Sequence, residues 1–204
     1  LGFDGIVAAC GTHIEFEGEK LFELLLTKAQ IEHILTVLRK HQIPMVLEGP
    51  NYIYVDEKDF KDDPYVIYLR NELGENLKSI TGTAQYEVNK LSAELGNADV
   101  ELVRKELGTE FDMIVHEPDG ILEIGQAGHS KASGIERLCA SLGIAKEDTY
   151  AFGDSANDVE MLEFVAHGIA MGNGTDVAKN AAEFVTTDIH KDGIWNGLKH
   201  YGLI

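Results

Sequence analysis

Residues 150–162 read Tyr150-Ala151-Phe152-Gly153-Asp154-Ser155-Ala156-Asn157-Asp158-Val159-Glu160-Met161-Leu162. The run 149–152 is short, apolar and β-prone; Gly153 punctuates it, and Val159, Leu162 and Val165 then recur at helical spacing. This pattern predicts strand, tight turn and helix. The acids therefore fall at the carboxyl end of a strand, where open α/β sheets place their ligand sites. Asp154 and Asp158 are one helical turn apart, so both carboxylates can face one point. Hard oxygen donors of this kind suit Mg²⁺, which takes one or two carboxylates, keeps several waters and adds substrate phosphate oxygens. Asn157 reaches the same place with a neutral amide. An isolated Asp-x-x-x-Asp, however, more often caps a helix and complements its positive N-terminus.

The surrounding motifs change that balance. Gly153-Asp-Ser-Ala-Asn-Asp-Val-Glu-Met-Leu162 is followed by Gly168-Ile-Ala-Met-Gly-Asn173, by Lys179-Asn-Ala-Ala-Glu-Phe-Val-Thr186 and by Asp192-Gly193-Ile194, and is preceded by Ser130-Lys131. Together these resemble the C-terminal part of the haloacid dehalogenase (HAD) superfamily, and most closely its Cof-type phosphatases. The resemblance implies an α/β fold: the C-terminal part of a Rossmann-like core, a parallel sheet with helices on both faces, carrying an inserted α+β cap domain. It also implies Mg²⁺-dependent hydrolysis of a phosphomonoester through an aspartyl-phosphate. By that analogy Asp154 is a metal ligand, Asp158 a ligand of the metal or its water, Asn157 a contact on the phosphate side, and Lys131 the cationic clamp on the transferring group.

At 204 residues with 44% hydrophobic content, the chain can bury one large core or two small ones. Its formal charge of -18 disfavours nucleic-acid backbones and anionic membrane surfaces. A phosphate substrate remains compatible, since one metal and one lysine invert the local field. Cys10 and Cys139 are too few for a disulfide framework and read as reduced thiols. No apolar run approaches the ~20 residues of a membrane span, and no basic-then-apolar leader opens the sequence. A cytoplasmic protein is expected, with a small phosphorylated metabolite as substrate and no protein partner. The eight histidines show no zinc-site spacing.

Taken in order, 6–10 reads as a buried strand and 12–26 as a hairpin. Thr27-x-x-Gln30 is a capping box, followed by the helical stripe Ile31, Ile34, Leu35 and Leu38. Strands are expected at 43–48, 52–55 and 86–91, and helices at 65–73 and 99–107. A further hairpin, 111–116 with 120–124, turns at Glu117-Pro118-Asp119. Without strict βαβ alternation this stretch suggests an α+β insert. The expected organisation is a pre-cap core segment at 1–19, a cap at 20–125 and the remainder of the core at 126–204. Asn51 and Tyr52 are candidate substrate contacts of the cap.

Lys131 opens the helix bearing Ile135, Leu138, Cys139 and Leu142. A lysine is electrostatically unfavourable in a first turn, where an anion is favoured, which argues for another task. Beyond the acidic turn, 167–171 and 184–187 read as strands, Gly172-Asn173-Gly174 as a loop, and 189–201 as a closing helix with Trp195 and Leu198 inward.

The family's nucleophile motif, Asp-x-Asp-Gly-Thr, is not matched by Phe3-Asp4-Gly5-Ile6, where both flanking positions differ. The resemblance places that motif upstream of Leu1, in a segment of about eighty residues, and leaves a gap in the core sheet between the strands at 6–10 and 149–152. The chain alone is then expected to be inactive. A catalytically incomplete binding or regulatory module, a pseudo-phosphatase or fragment, is the alternative. Gly168 to Lys179 also resembles the phosphorylation domain of P-type ATPases, but the lack of a membrane segment and the compact insert before Lys131 count against that reading.

Overall fold

The structure, a computed structural model, describes residues 2–80, 86–116 and 120–204. They form two compact units: unit 1 is Leu1–Phe22 with His129–Ile204, and unit 2 is Glu23–Gly128.

The chain opens with β1 (Gly5–Ala8), β2 (His13–Phe16) and β3 (Glu19–Glu23), a three-stranded sheet in that order. Glu17 and Gly18, both at positive φ, turn β2 into β3. The buried strand expected at 6–10 is corrected here. The strand stops at Ala8, Ile6 is 53% exposed, and Ala9 and Cys10 take φ of 49° and 54°. Among the described residues β1 pairs on one side only, with β2. The left-handed turn that follows is closed by the Thr12 hydroxyl, which donates to the Ala9 carbonyl at 2.6 Å.

Unit 2 is built on one six-stranded sheet. Its elements are α1 (Lys28–Lys40), β4 (Met45–Glu48), β5 (Ile53–Val55), α2 (Glu57–Phe60), α3 (Pro64–Leu73), β6 (Leu77–Ser79), β7 (Lys90–Glu94), α4 (Val100–Leu107), β8 (Phe111–His116) and β9 (Ile121–Gln126). The strand order is β6-β5-β4-β7-β9-β8. The capping box forms as expected: the Gln30 backbone N–H donates to Thr27 Oγ1 and the Thr27 backbone N–H to Gln30 Oε1. Ile31, Ile34, Leu35 and Leu38 are buried in one cluster with Leu47, Leu91, Val103, Leu107, Leu122 and Ile124. Each such aliphatic side chain contributes roughly 1.5–3 kcal/mol on burial. The strand expected at 86–91 begins instead at Lys90, opposite Glu48. Just before it, the Asn89 backbone N–H still donates to the Glu48 carbonyl at 2.8 Å, while the Asn89 side-chain amide donates to Glu23 Oε1 and to the Leu24 carbonyl. The short strand β6, parallel to β5, carries no period-2 pattern that would have announced it. The turn expected at Glu117-Pro118-Asp119 lies outside the described residues.

The chain then completes unit 1 with α5 (Lys131–Leu142), β10 (Tyr150–Gly153), α6 (Val159–Phe164), β11 (His167–Ala170), α7 (Asp176–Ala181), β12 (Phe184–Val185) and α8 (Gly193–His200). β10, β11 and β12 form a parallel sheet, Tyr150 opposite His167 and Ile169 opposite Phe184. This sheet and β1-β2-β3 are separate. The βαβα order puts the carboxyl ends of β10 and β11, and the loops that follow them, at one edge.

Two helices of unit 1 dock through glycine. A Cβ on Gly134, the buried residue of α5, would lie 2.6 Å from Val7 Cγ1 and 2.7 Å from Gly11 Cα. A Cβ on Gly197 of α8 would lie 2.5 Å from Phe152 Cε1. This corrects the closing helix. It begins at Gly193 rather than 189 because Asp192 sits at φ 56°, and its buried residues are Gly193 and Gly197, while Trp195 is 59% exposed. The aromatic ring cannot face a surface that the backbone approaches so closely. Gly134→Ala is therefore expected to destabilise unit 1 by about 1–3 kcal/mol through overpacking. Gly125→Ala, whose Cβ would meet nothing within 4 Å, is expected to change stability by less than about 0.5 kcal/mol. Chemical denaturation of the two variants checks the contrast.

Candidate active site

The site is assembled at the carboxyl end of β10. Gly153, the strand's last residue, is dictated by its neighbour: a Cβ there would lie 2.6 Å from Asp158 Cβ and 3.2 Å from Asp158 Oδ2. With that space open, Asp158 folds back over the turn. Its Oδ2 accepts the backbone N–H of Asp154 at 2.9 Å and that of Ser155 at 3.1 Å. Its Oδ1 accepts Lys131 Nζ at 2.5 Å. Residues Ala156–Asp158 form a single 3-10 turn, which α6 continues.

Asp158 is 4% exposed. Burial by itself pushes its carboxyl up, but the Lys131 ammonium and the two backbone donors outweigh that and hold it below its ordinary value of 3.8. Lys131, in turn, also donates to Asn157 Oδ1 at 3.1 Å. Lys131 thus sits in the first turn of α5, beyond the N-cap Ser130, but its charge is directed across to the turn after β10. That resolves its unfavourable placement at a helix N-terminus.

The four residues singled out from the sequence are therefore divided in role. Lys131, Asn157 and Asp158 are bonded together, whereas the Asp154 side chain is exposed and makes no hydrogen bond or ion pair among the described residues. The Asp154 carbonyl is used structurally and accepts the Thr175 N–H at 2.8 Å. Gly174 passes so close that a Cβ would lie 3.0 Å from Asp154 Cα. The Gly172-Asn173-Gly174 loop thus packs behind Asp154, with Asn173 Oδ1 accepting the Ile189 N–H. A cavity of about 420 Å³ opens beside Asp154, lined also by Phe152, Met171, Asn173, Ile189 and Ile194. Asn51 and Tyr52 belong to unit 2, where the Asn51 amide donates to Glu87 and Tyr52 lies under Lys78.

Ser155, which the sequence offers as a helix cap, does form a capping box with Asp158. Its bond to Asn157 was not read from the sequence: the hydroxyl donates to Asn157 Oδ1 at 2.7 Å. Among the described residues no three His, Cys, Asp or Glu side chains converge as a metal centre. The donor set still fits a hard cation that brings its own waters, since one carboxylate at the strand end is exposed and uncommitted.

The haloacid dehalogenase-like hydrolase family matches residues 1–198, and the chain belongs to it. YkrA of Bacillus subtilis (strain 168) is 30% identical over 222 residues, covering 100% of this chain and 78% of that protein. The 5-amino-6-(5-phospho-D-ribitylamino)uracil phosphatase YitU of the same strain is 36% identical over 138 residues, covering 65% of this chain and 47% of that protein. The chain thus spans less than half the length of YitU. A solved structure from Geobacillus kaustophilus HTA426 superposes with a TM-score of 0.81 at 31% identity, covering 100% of this chain and 78% of that one. The α/β fold of the family and the hydrolase class expected from the motifs are thereby established.

Because the folded Asp158 pKa is depressed, its stabilisation is present above the unfolded value of 3.8 and is lost as pH falls through the lower folded value. Asp158→Asn is accordingly expected to cost unit 1 roughly 1.5–3 kcal/mol at neutral pH, the range for charge-assisted hydrogen bonds. The difference from the wild type should shrink below pH 3.8. Urea denaturation at pH 7 and pH 3 measures both.

Proposed function

We propose that this chain carries the phosphate-clamping and metal-holding half of a Mg²⁺-dependent phosphomonoester hydrolase acting on a small cytoplasmic phosphorylated metabolite. The observation that supports this most is the division at the β10 turn: the Asp154 carboxylate is uncommitted, while the buried Asp158 carboxylate binds both the Asp154 backbone N–H and the Lys131 ammonium. Asp154 would hold the cation, and Asp158 orients the turn and the lysine. When bound, Mg²⁺ supplies neutralisation of the charge developing on the phosphoryl oxygens. Lys131 supplies a full positive charge to the same group, and Asn157 a neutral hydrogen-bond donor.

The attacking carboxylate is proposed to lie outside these 204 residues, as the mismatch at Phe3-Asp4-Gly5-Ile6 suggests. Unit 2 would be the cap, and Asn51 and Tyr52 its substrate contacts. YitU's printed substrate, a phosphorylated ribityl-aminouracil, exemplifies the class of small phosphoester intended. No helix among the described residues is long and apolar enough to cross a membrane.

Hydrolysis of p-nitrophenyl phosphate with Mg²⁺ tests the proposal, comparing this chain with the same chain joined to its native upstream sequence. Activity is expected in the longer form only, lost on adding EDTA and reduced at least about 10²-fold by Asp154→Asn or Lys131→Met. Full activity of Asp154→Asn would overturn the role given to that carboxylate. Activity of the 204-residue form would overturn the placement of the nucleophile and reopen Asp4.

A further inference from the structure

The bonds around Asn157 have a fixed direction. Lys131 Nζ has only protons to give, so the Asn157 atom that faces it at 3.1 Å must be the oxygen. The same oxygen lies 2.7 Å from Ser155 Oγ, and with no proton of its own it can only accept, so the serine donates. Two donors occupy the two lone pairs of Oδ1. The amide nitrogen is thereby turned away from both, and among the described residues it has no partner.

We infer that Ser155 is a positioning residue: its hydroxyl locks the Asn157 amide so that the two N–H donors point outward from the Lys131–Asp158 pair. This rests on the reading of the turn as a phosphoryl site and names what orients its neutral donor. Lys131 cannot do this alone. Its shorter bond goes to Asp158, at 2.5 Å against 3.1 Å, and its side chain is 36% exposed. An incoming anion draws the same ammonium, which weakens its hold on Asn157 at the moment orientation matters. Ser155 is independent of that competition. Its hydroxyl is 3.5 Å from Asp158 Oδ2, well beyond its distance to Asn157, while its own N–H is anchored on Asp158. An amide with one face saturated by acceptor contacts and the other free presents two donors to an anion at no cost in reorganisation.

The test uses this chain and inorganic phosphate, with and without Mg²⁺, read on the Asn157 side-chain amide by ¹⁵N NMR. In the ligand-free protein the Asn157 amide is expected to be ordered. In Ser155→Ala its order parameter is expected to fall into the flexible range, below about 0.6, while Ser155→Thr keeps it. Phosphate is expected to shift the wild-type Asn157 N–H₂ resonances. Ser155→Ala should weaken phosphate binding about 3- to 10-fold, the worth of one neutral hydrogen bond, and should add nothing further in an Asn157→Ala background. Unchanged Asn157 order in Ser155→Ala, or a full additional loss in the double variant, overturns the positioning role. A wild-type amide that is ordered but unmoved by phosphate overturns the phosphoryl reading instead.

Discussion

A single buried carboxylate organises the functional edge of unit 1. Asp158 is almost fully removed from water, a costly state for a charge unless it is paired and hydrogen-bonded. It meets that demand with three donors from two elements: the N–H groups of Asp154 and Ser155 in the turn after β10, and the ammonium of Lys131 in α5. Satisfying one charge therefore ties the end of β10 to the start of α5, although Asp158 lies 27 positions beyond Lys131 in sequence. Structure and chemistry share one interaction, and the same pairing that stabilises the turn keeps a cation at the strand end.

The second constraint is steric. Gly153 admits the Asp158 side chain, Gly174 admits the Asp154 backbone, Gly134 lets α5 approach Val7 and the Gly11 backbone, and Gly197 lets α8 pack against the Phe152 ring. A sheet edge meant to receive a ligand needs helices and loops brought in close, and larger side chains would hold them off. The price is a core with few large aliphatic contacts, in contrast to unit 2, whose sheet and helices bury a continuous aliphatic cluster.

The strand-turn-helix at 150–162 was legible because its punctuation and periodicity agree, and Lys131 because a cation in a first helical turn is locally unfavourable. Helix α1 was legible from its capping box and stripe. Less legible were features set by contacts distant in sequence. The side-chain amide of Asn89 is held by Glu23 and Leu24, far upstream of it, and the orientation of Trp195 depends on how closely α8 approaches Phe152. The spacing of Asp154 and Asp158 suggested that both carboxylates face one metal. Their division into one committed and one free group follows from Gly153 and Lys131, neither of which period alone can reveal.

That division is the most direct thing to measure. Titrating this chain with Mg²⁺ while following side-chain carboxyl ¹³C resonances separates the two aspartates. The account predicts that the Asp154 carboxyl shifts with added metal, while the Asp158 carboxyl stays at its ion-paired position with Lys131. Movement of Asp158 with Asp154 unaffected, or no response from either, would contradict it.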